Sequence, residues 1–374
     1  MATPAVVGSG VGGLLSRLSA TKLTNPFRRQ SGFVVLDIGS SSVKVAEVHH
    51  GAAGPTISAL GVADVPPTVI QANVIQDPEP VAEAIMKLLS GLGIQSTQAI
   101  TAVPGPAVIV KKVILPSSAN ANIEGAVLAE AGHLIPDSLD NVNLDYQTID
   151  WIEDGNKMEV LVVAVKKDII NSYTQTILAA GLDPAVVDVD YFALENMFEL
   201  NYDPADGQPV ALVNVGARYS SINILKQGRS TFTGDVPIGG AEYTDAISRQ
   251  LGVSPEEAES LKLGKSGRDS DGAAVQPVLG SVTEFIVEEI QRALSFFWTA
   301  ATDEPLGGIV LSGGTARTSG LSTLLAERLG CSVEVASPFR RLTIDRGVNR
   351  ELVQACGPAL AVTVGLATRR PGDK

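Results

Sequence analysis

LDIGSSSVKVAEV, residues 36–48, places an acid, a glycine and three serines between two runs of β-branched residues. The flanks favour extended backbone, because Val43, Val45 and Val48 suit a pleated, half-buried surface. The stretch therefore reads strand, turn, strand, opening in FVVLDI (33–38) and continuing in VKVAEVHH. A Walker A loop needs GK[ST] feeding a helix, so this is not a P-loop. Small residues let backbone N–H groups approach an anion without a Cβ in the way, and Ser40, Ser41 and Ser42 beside Gly39 add hydroxyl donors. Lys44 can reach back to a phosphate as a point charge, and Asp37 can hold Mg2+ through water. Taken alone, however, the turn is better read as a solvated β-turn with Lys44 on an exposed face.

The second half of the chain opens in the same way. VALVNVGARYSSINILKQG (210–228) aligns without a gap on FVVLDIGSSSVKVAEVHHG, setting Asn214 on Asp37 and Gly216 on Gly39. Ala217 and Arg218 continue this second turn. Two hairpins opening two half-chains suggest a duplicated core. Between them lies the helix PEPVAEAIMKLLSGLGI (78–94), then TQAITAVPG, AVIVKKVILP, a helix near 120–133, NLDYQTID, MEVLVVAVKK, the helix DIINSYTQTILAAGL and PAVVDVDYFALENMF. This β-β-α-β-β-α-β order predicts a small α+β unit inserted over 96–189.

Beyond the second hairpin, GGAEYTDAISRQLGVSPEEAESLK (239–262) predicts two helices, the second opened by a Ser254–Glu257 capping box with Pro255 at its first position. GKSGRDSDGAA (264–274) reads as a polar loop. The helix over 282–298 is expected to bury Phe285, Ile286, Ile290, Leu294 and Phe297 on one face. GGIVLSGGTARTSGLSTLLAERLG (307–330) reads strand, glycine turn, helix. Gly313 and Gly314 permit the close backbone approach that a flat base or ribose needs, although an isolated copy reads as simple strand-to-helix turn chemistry. Glu259 and Lys262 share a helical face, where they can contact a nucleoside or form a surface ion pair of small value.

Composition narrows the function class. A chain of 374 residues with 45% hydrophobic residues folds with real cores, in two or more compact units. Its net charge of −13 argues against nonspecific nucleic-acid binding, which needs a basic face. Cys331 and Cys356 are far apart, and neither they nor the three histidines have the spacing of a structural metal site. No apolar run is long enough to span a bilayer. Residues 1–30, rich in Gly, Ser and Ala, read as a flexible leader without the features of a signal peptide.

The order of these elements resembles the actin-like ATPase superfamily, with two phosphate loops and an adenosine loop. Within it, LDIGSSSVKVAEV, the early inserted unit and EVLVVAVKKDIINSYTQTILAAGLDPAVVDVDYFALENMF resemble the PilM family of type IV pilus assembly proteins, relatives of FtsA. The resemblance implies an α/β fold of two duplicated halves with a small inserted α+β subdomain. The first half would cover 31–95, completed by 190–206 and 355–370. The second would cover 207–238 and 306–354, capped by a helical subdomain over 239–305.

The resemblance also implies ATP and Mg2+ between the halves. Asp37 would stand by the metal, Gly39–Ser42 and Lys44 by the β- and γ-phosphates, and Gly216–Arg218 on the other phosphate flank. Gly239, Gly240, Glu259 and Lys262 would line the nucleoside, with Gly313 and Gly314 beneath it. Asn214 stands where the superfamily usually has Asp, which favours binding ATP over splitting it, and no general base is evident. A groove beside the inserted subdomain would capture the N-terminal peptide of a PilN-type membrane protein. The chain would then be cytoplasmic, held at the inner membrane by that partner among other pilus platform proteins, with homo-oligomers left open. An FtsA-like membrane-associated filament scaffold and a sugar- or acetate-kinase-type phosphotransferase are the alternatives. The polar end LATRRPGDK lacks the membrane helix of FtsA-type proteins, and Asn214 removes an acid a kinase would use.

Overall fold

The computed structural model describes residues 32–203, 207–265, 269–300 and 304–373. The proposed leader, residues 1–30, lies outside them. FVVLDI forms the strand Phe33–Ile38, which pairs antiparallel with Ser42–Gly51. That strand turns back into Gly54–Asp64. On its other side Phe33–Ile38 pairs in parallel with Gln98–Val103, which pairs in parallel with Asp183–Val189. The second half repeats this order. Arg229–Val236, Ser220–Lys226 and Val210–Val215 form the antiparallel meander, and Gly308–Ser312 and Val333–Val335 extend it in parallel. The duplication read from the two hairpins thus extends to five strands of each sheet, the first adding Thr343–Ile344 at its edge.

The strands Gln98–Val103 and Asp183–Val189, at the two ends of the segment expected as an insertion, belong to the first sheet. Their hydrophobic runs are buried on both faces, as parallel strands between layers are. The helix Lys167–Ala179 likewise packs on the first sheet, burying Ile169, Tyr173 and Ile177. What projects is narrower than 96–189: a three-stranded antiparallel sheet ordered Val108–Pro116, Lys157–Lys166, Val142–Ile152, covered by the helix Ile123–Leu134. Its small core joins Val113, Leu115, Val127, Met158, Val160 and Val162.

Two helices couple the halves. Asp190–Asn201 follows the last strand of the first sheet, and Ala361–Leu366 packs across it near the end of the described chain. A Cβ at Gly365 would lie 1.7 Å from the Ala193 carbonyl oxygen, so only glycine permits this crossing. Their shared core takes Val35 and Ala46 from the first sheet and Leu212 and Val310 from the second.

The helices Ala241–Leu251 and Pro255–Lys262 form as expected, and Ser254 Oγ accepts from the Glu257 amide at 3.2 Å. The segment expected as a polar loop over 264–274 differs: a helix begins at Asp269 and runs to Ala300. The burial pattern also differs at one position, since Ile286, Ile290, Leu294 and Phe297 are buried but Phe285 is 43% exposed. At about 100° per residue Phe285 falls on the side opposite Leu294, away from the buried stripe. Among the described residues, no helix is long and apolar enough to cross a membrane.

Candidate functional site

The two hairpin turns are built alike. The Gly39 amide donates to the Ser42 carbonyl at 3.0 Å, and the Gly216 amide to the Tyr219 carbonyl at 3.0 Å. The strand positions match as well: Asp37 is registered with Lys44, and Asn214 with Ser221. At the first turn Lys44 Nζ lies 3.3 Å from Asp37 Oδ2, and both side chains are about 15% exposed. The ammonium lies over the turn, 3.2 Å from where a Cβ on Gly39 would stand. Ser40 is half-buried, Ser41 exposed and Ser42 half-buried, and the Ser41 carbonyl accepts from the Val65 amide.

The second turn is more enclosed. The Gly216 carbonyl accepts from the Gly240 amide at 2.8 Å and from Thr315 Oγ1 at 3.0 Å, while the Ala217 carbonyl accepts from the Ala241 amide at 2.8 Å. A Cβ on Gly239 would fall 2.5 Å from the Gly216 oxygen, and one on Gly240 2.5 Å from Thr315 Oγ1. Gly313 has φ +97°, and a Cβ there would fall 2.3 Å from the Val215 oxygen. These glycines therefore hold three chain segments at backbone contact. Gly314, by contrast, is exposed with open space around it.

Asn214 Oδ1 accepts from Ser312 Oγ at 3.2 Å, across the parallel pair that joins their strands. Glu259 and Lys262 form an ion pair at 2.6 Å, and Thr244 Oγ1 donates to the same Glu259 oxygen at 2.5 Å. Lys262 Nζ also reaches the Gly240 carbonyl at 3.4 Å. The predicted residues of the second half, Gly314 and Arg218 apart, thus form one connected set. Arg218 points elsewhere: its guanidinium donates to the Pro67 carbonyl of the first half at 3.0 Å. Pro67 lies on the loop that Val65 ties to Ser41, so Arg218 joins the surroundings of the two turns.

A second link between the halves involves residues that motif reading did not select. Asp190, buried at the start of the helix Asp190–Asn201, accepts from the Tyr219 hydroxyl at 3.0 Å. In the reverse direction, the Tyr191 hydroxyl donates to Asp235 on the second sheet. Burial, reinforced by the negative charge of Asp235, raises the Asp190 carboxyl to about 8; hydrogen bonds from Tyr219 and the Gly105 and Tyr191 amides oppose the rise. Asp235 is more open to water, and desolvation on its protein side lifts it only to about 6. The sequence signal was the pair of acids in VDVDYF, two charges interrupting an otherwise apolar run. Among the described residues, no three His, Cys, Asp or Glu side chains converge as a metal cluster.

Two sheets that share a five-strand order, the first with Thr343–Ile344 added at its edge, joined at crossed helices, define an actin-like ATPase fold. The chain belongs to the family of type IV pilus assembly protein PilM, whose model matches residues 35–371. It is similar to the solved PilM-PilN type IV pilus biogenesis complex, with 26% identity and a TM-score of 0.77 over 91% of this chain and 100% of that chain. The cell division protein FtsA of Bacillus subtilis (strain 168) is 25% identical over 350 residues, 82% of this chain and 78% of that protein. The ethanolamine utilization protein EutJ from Carboxydothermus hydrogenoformans shares the fold at 17% identity, with a TM-score of 0.53 over 90% of this chain and 89% of that one.

Proposed function

We propose that this chain is the ATP-binding component of a type IV pilus assembly platform, cytoplasmic and held at the inner membrane by the N-terminal peptide of a PilN-type protein. The observation that carries this reading is a groove of about 270 Å³ where the projecting three-stranded sheet meets the first half. Pro106, Val108, Val142 and Ile169 give it apolar walls, and Asp137 and Lys166 pair across its lining at 3.4 Å. Such a surface suits a short extended peptide that inserts apolar side chains and meets one charge of each sign at the rim.

The two turns, tied by the Arg218 contact to Pro67, fit a nucleotide on the chemistry of their side chains. The Ser40–Ser42 hydroxyls and the Lys44 ammonium offer donors at the first turn, while the amides of Gly39, Gly216 and Gly240 already donate within the chain and shape the turns. Asp37, Gly39–Ser42 and Lys44 would hold the β- and γ-phosphates and a water-bridged Mg2+. Gly216 and Ala217 would face the phosphates from the second half, with Gly239, Gly240, Glu259, Lys262, Gly313 and Gly314 toward the nucleoside. When bound, Mg-ATP supplies a charged bridge that both halves can grip. Asn214 adds no negative charge for a metal or an attacking water, so the site is suited to holding ATP more than to hydrolysing it.

The test is a calorimetric titration of a PilN-type N-terminal peptide into the full chain, with and without Mg-ATP. Binding is expected, and Val108→Asp, at a half-buried wall position, should weaken it at least about tenfold by placing a charge on the apolar wall. Absence of peptide binding in both conditions overturns the reading.

A further inference from the structure

The long helix Asp269–Ala300 buries Ile286, Ile290, Leu294 and Phe297 and leaves its opposite side bare. Two large aromatics lie on that bare side, Phe285 at 43% and Phe296 at 63% exposure. They are eleven residues apart, close to three helical turns, so they fall on one stripe. Between them, on the same stripe, Arg292 pairs with Glu289 at 2.5 Å.

These four positions are symmetric about one point, midway between Ile290 and Gln291. Phe285 and Phe296 are equally far from it, and so are Glu289 and Arg292. An antiparallel helix of identical sequence crossing at that point sets Phe285 against the partner's Phe296 and Glu289 against the partner's Arg292. Two-fold symmetry then repeats both contacts. This is the condition for an isologous interface, in which one patch complements itself. We propose that this stripe is a self-association surface and that its occupant is a second copy of this chain.

Charge and shape both select that occupant. A parallel copy in register would set Glu289 against Glu289 and Arg292 against Arg292, and a shifted register would bring aromatic onto charge, while the antiparallel register joins aromatic to aromatic and acid to base. A single helix face is small beside a standard interface of about 1,600 Å². The dimer is therefore concentration-dependent, formed where copies are gathered. Neither the two turns nor the peptide groove enters the contact, so the inference does not depend on the function proposed above.

Analytical ultracentrifugation of the full chain over a concentration series reads the equilibrium. Glu289→Arg or Arg292→Glu alone sets like charges together at both symmetric contacts and should weaken the dimer about tenfold or more. The double variant restores opposite charges and should recover the dimer. Arg292 is exposed and Glu289 half-buried, so circular dichroism and urea unfolding check that each variant folds as the parent does. Cross-linking tests the register directly, in a background with Cys331 and Cys356 changed to Ser. A mixture of Phe285→Cys and Phe296→Cys chains should form a disulfide dimer. Either variant alone should not, since like positions lie about 16 Å apart along the helices. A chain that stays monomeric throughout, single reversals without effect, or a double variant that fails to recover overturns the proposal.

Discussion

The two hairpin turns share a four-residue loop and the same closing hydrogen bond, yet they differ in what stands at the matched strand positions. The first turn has an acid facing a base, Asp37 and Lys44; the second has two neutral groups, Asn214 and Ser221. Their packing differs in the opposite sense. The first turn is loosely surrounded, and the nearest atom to a Cβ on Gly39 other than backbone is the end of a flexible lysine. The second is locked by Gly239, Gly240 and Gly313. One half brings charge on an adaptable loop, and the other brings a rigid neutral cradle. Duplicated architecture has been kept while chemistry and stiffness were divided between the copies.

Glycine substitutions around the two turns probe this contrast with the largest expected effect. Gly313→Ala forces a side chain into positive φ and against the Val215 carbonyl. It should cost about 3 kcal/mol of stability, from strain and overpacking together. Gly39→Ala meets Lys44 Nζ and the Ser42 oxygen at 3.2 Å, and should cost less than about 1 kcal/mol while the lysine shifts. Urea unfolding of both variants checks the difference. Equal losses would mean that the turns are equally rigid.

The halves are also joined reciprocally, Tyr219 donating to Asp190 and Tyr191 to Asp235. The second expected effect concerns the more deeply buried acid. With its carboxyl raised to about 8, folded Asp190 keeps a proton that the unfolded chain has already released. Its contribution to stability is full below the unfolded carboxylate range, near about pH 4, and is lost as pH rises through the folded value. Thermal unfolding at pH 5, 6.5 and 8 should therefore show a decline that Asp190→Asn flattens, because the amide stays neutral and still accepts from Tyr219. An unchanged slope in that variant would assign the decline to other groups.

How much of this was legible in the sequence follows from how local each feature is. The hairpins, the capped helix at Ser254 and the glycine turn at Gly313 are written in short stretches, where β-branched runs and caps carry a direct signal. The duplicated sheet order was half visible, because the opening hairpins match while the parallel strands at 98–103 and 183–189 are distant in sequence from what they pair with. The tyrosine–aspartate links were not legible. Their partners are 29 and 44 residues apart, one of each pair on the helix Asp190–Asn201 and the other beside or on the second sheet, and no motif joins them. The start of the long helix at Asp269 was hidden by a charged, glycine-containing stretch that reads as loop until packing fixes it. Phe285 differs, since the helical period itself sets it opposite Leu294 and away from the buried stripe.

The smallest expected change returns to the matched strand positions. Asn214→Asp gives the second turn the acid that the first already has, without altering the side chain's size. Ser312 Oγ, now donating to the amide oxygen at 3.2 Å, can donate equally to a carboxylate, so the fold should hold. If the missing charge is what limits turnover, Mg2+-dependent phosphate release from ATP should rise about tenfold, the order expected from one added positioning group. Affinity for ATP should fall slightly at the same time, since a second carboxylate repels the phosphates unless Mg2+ intervenes. A rate that does not move would locate the limit elsewhere: in the neutral, tyrosine-bound Asp190, or in the Arg218 contact that holds the second turn to Pro67.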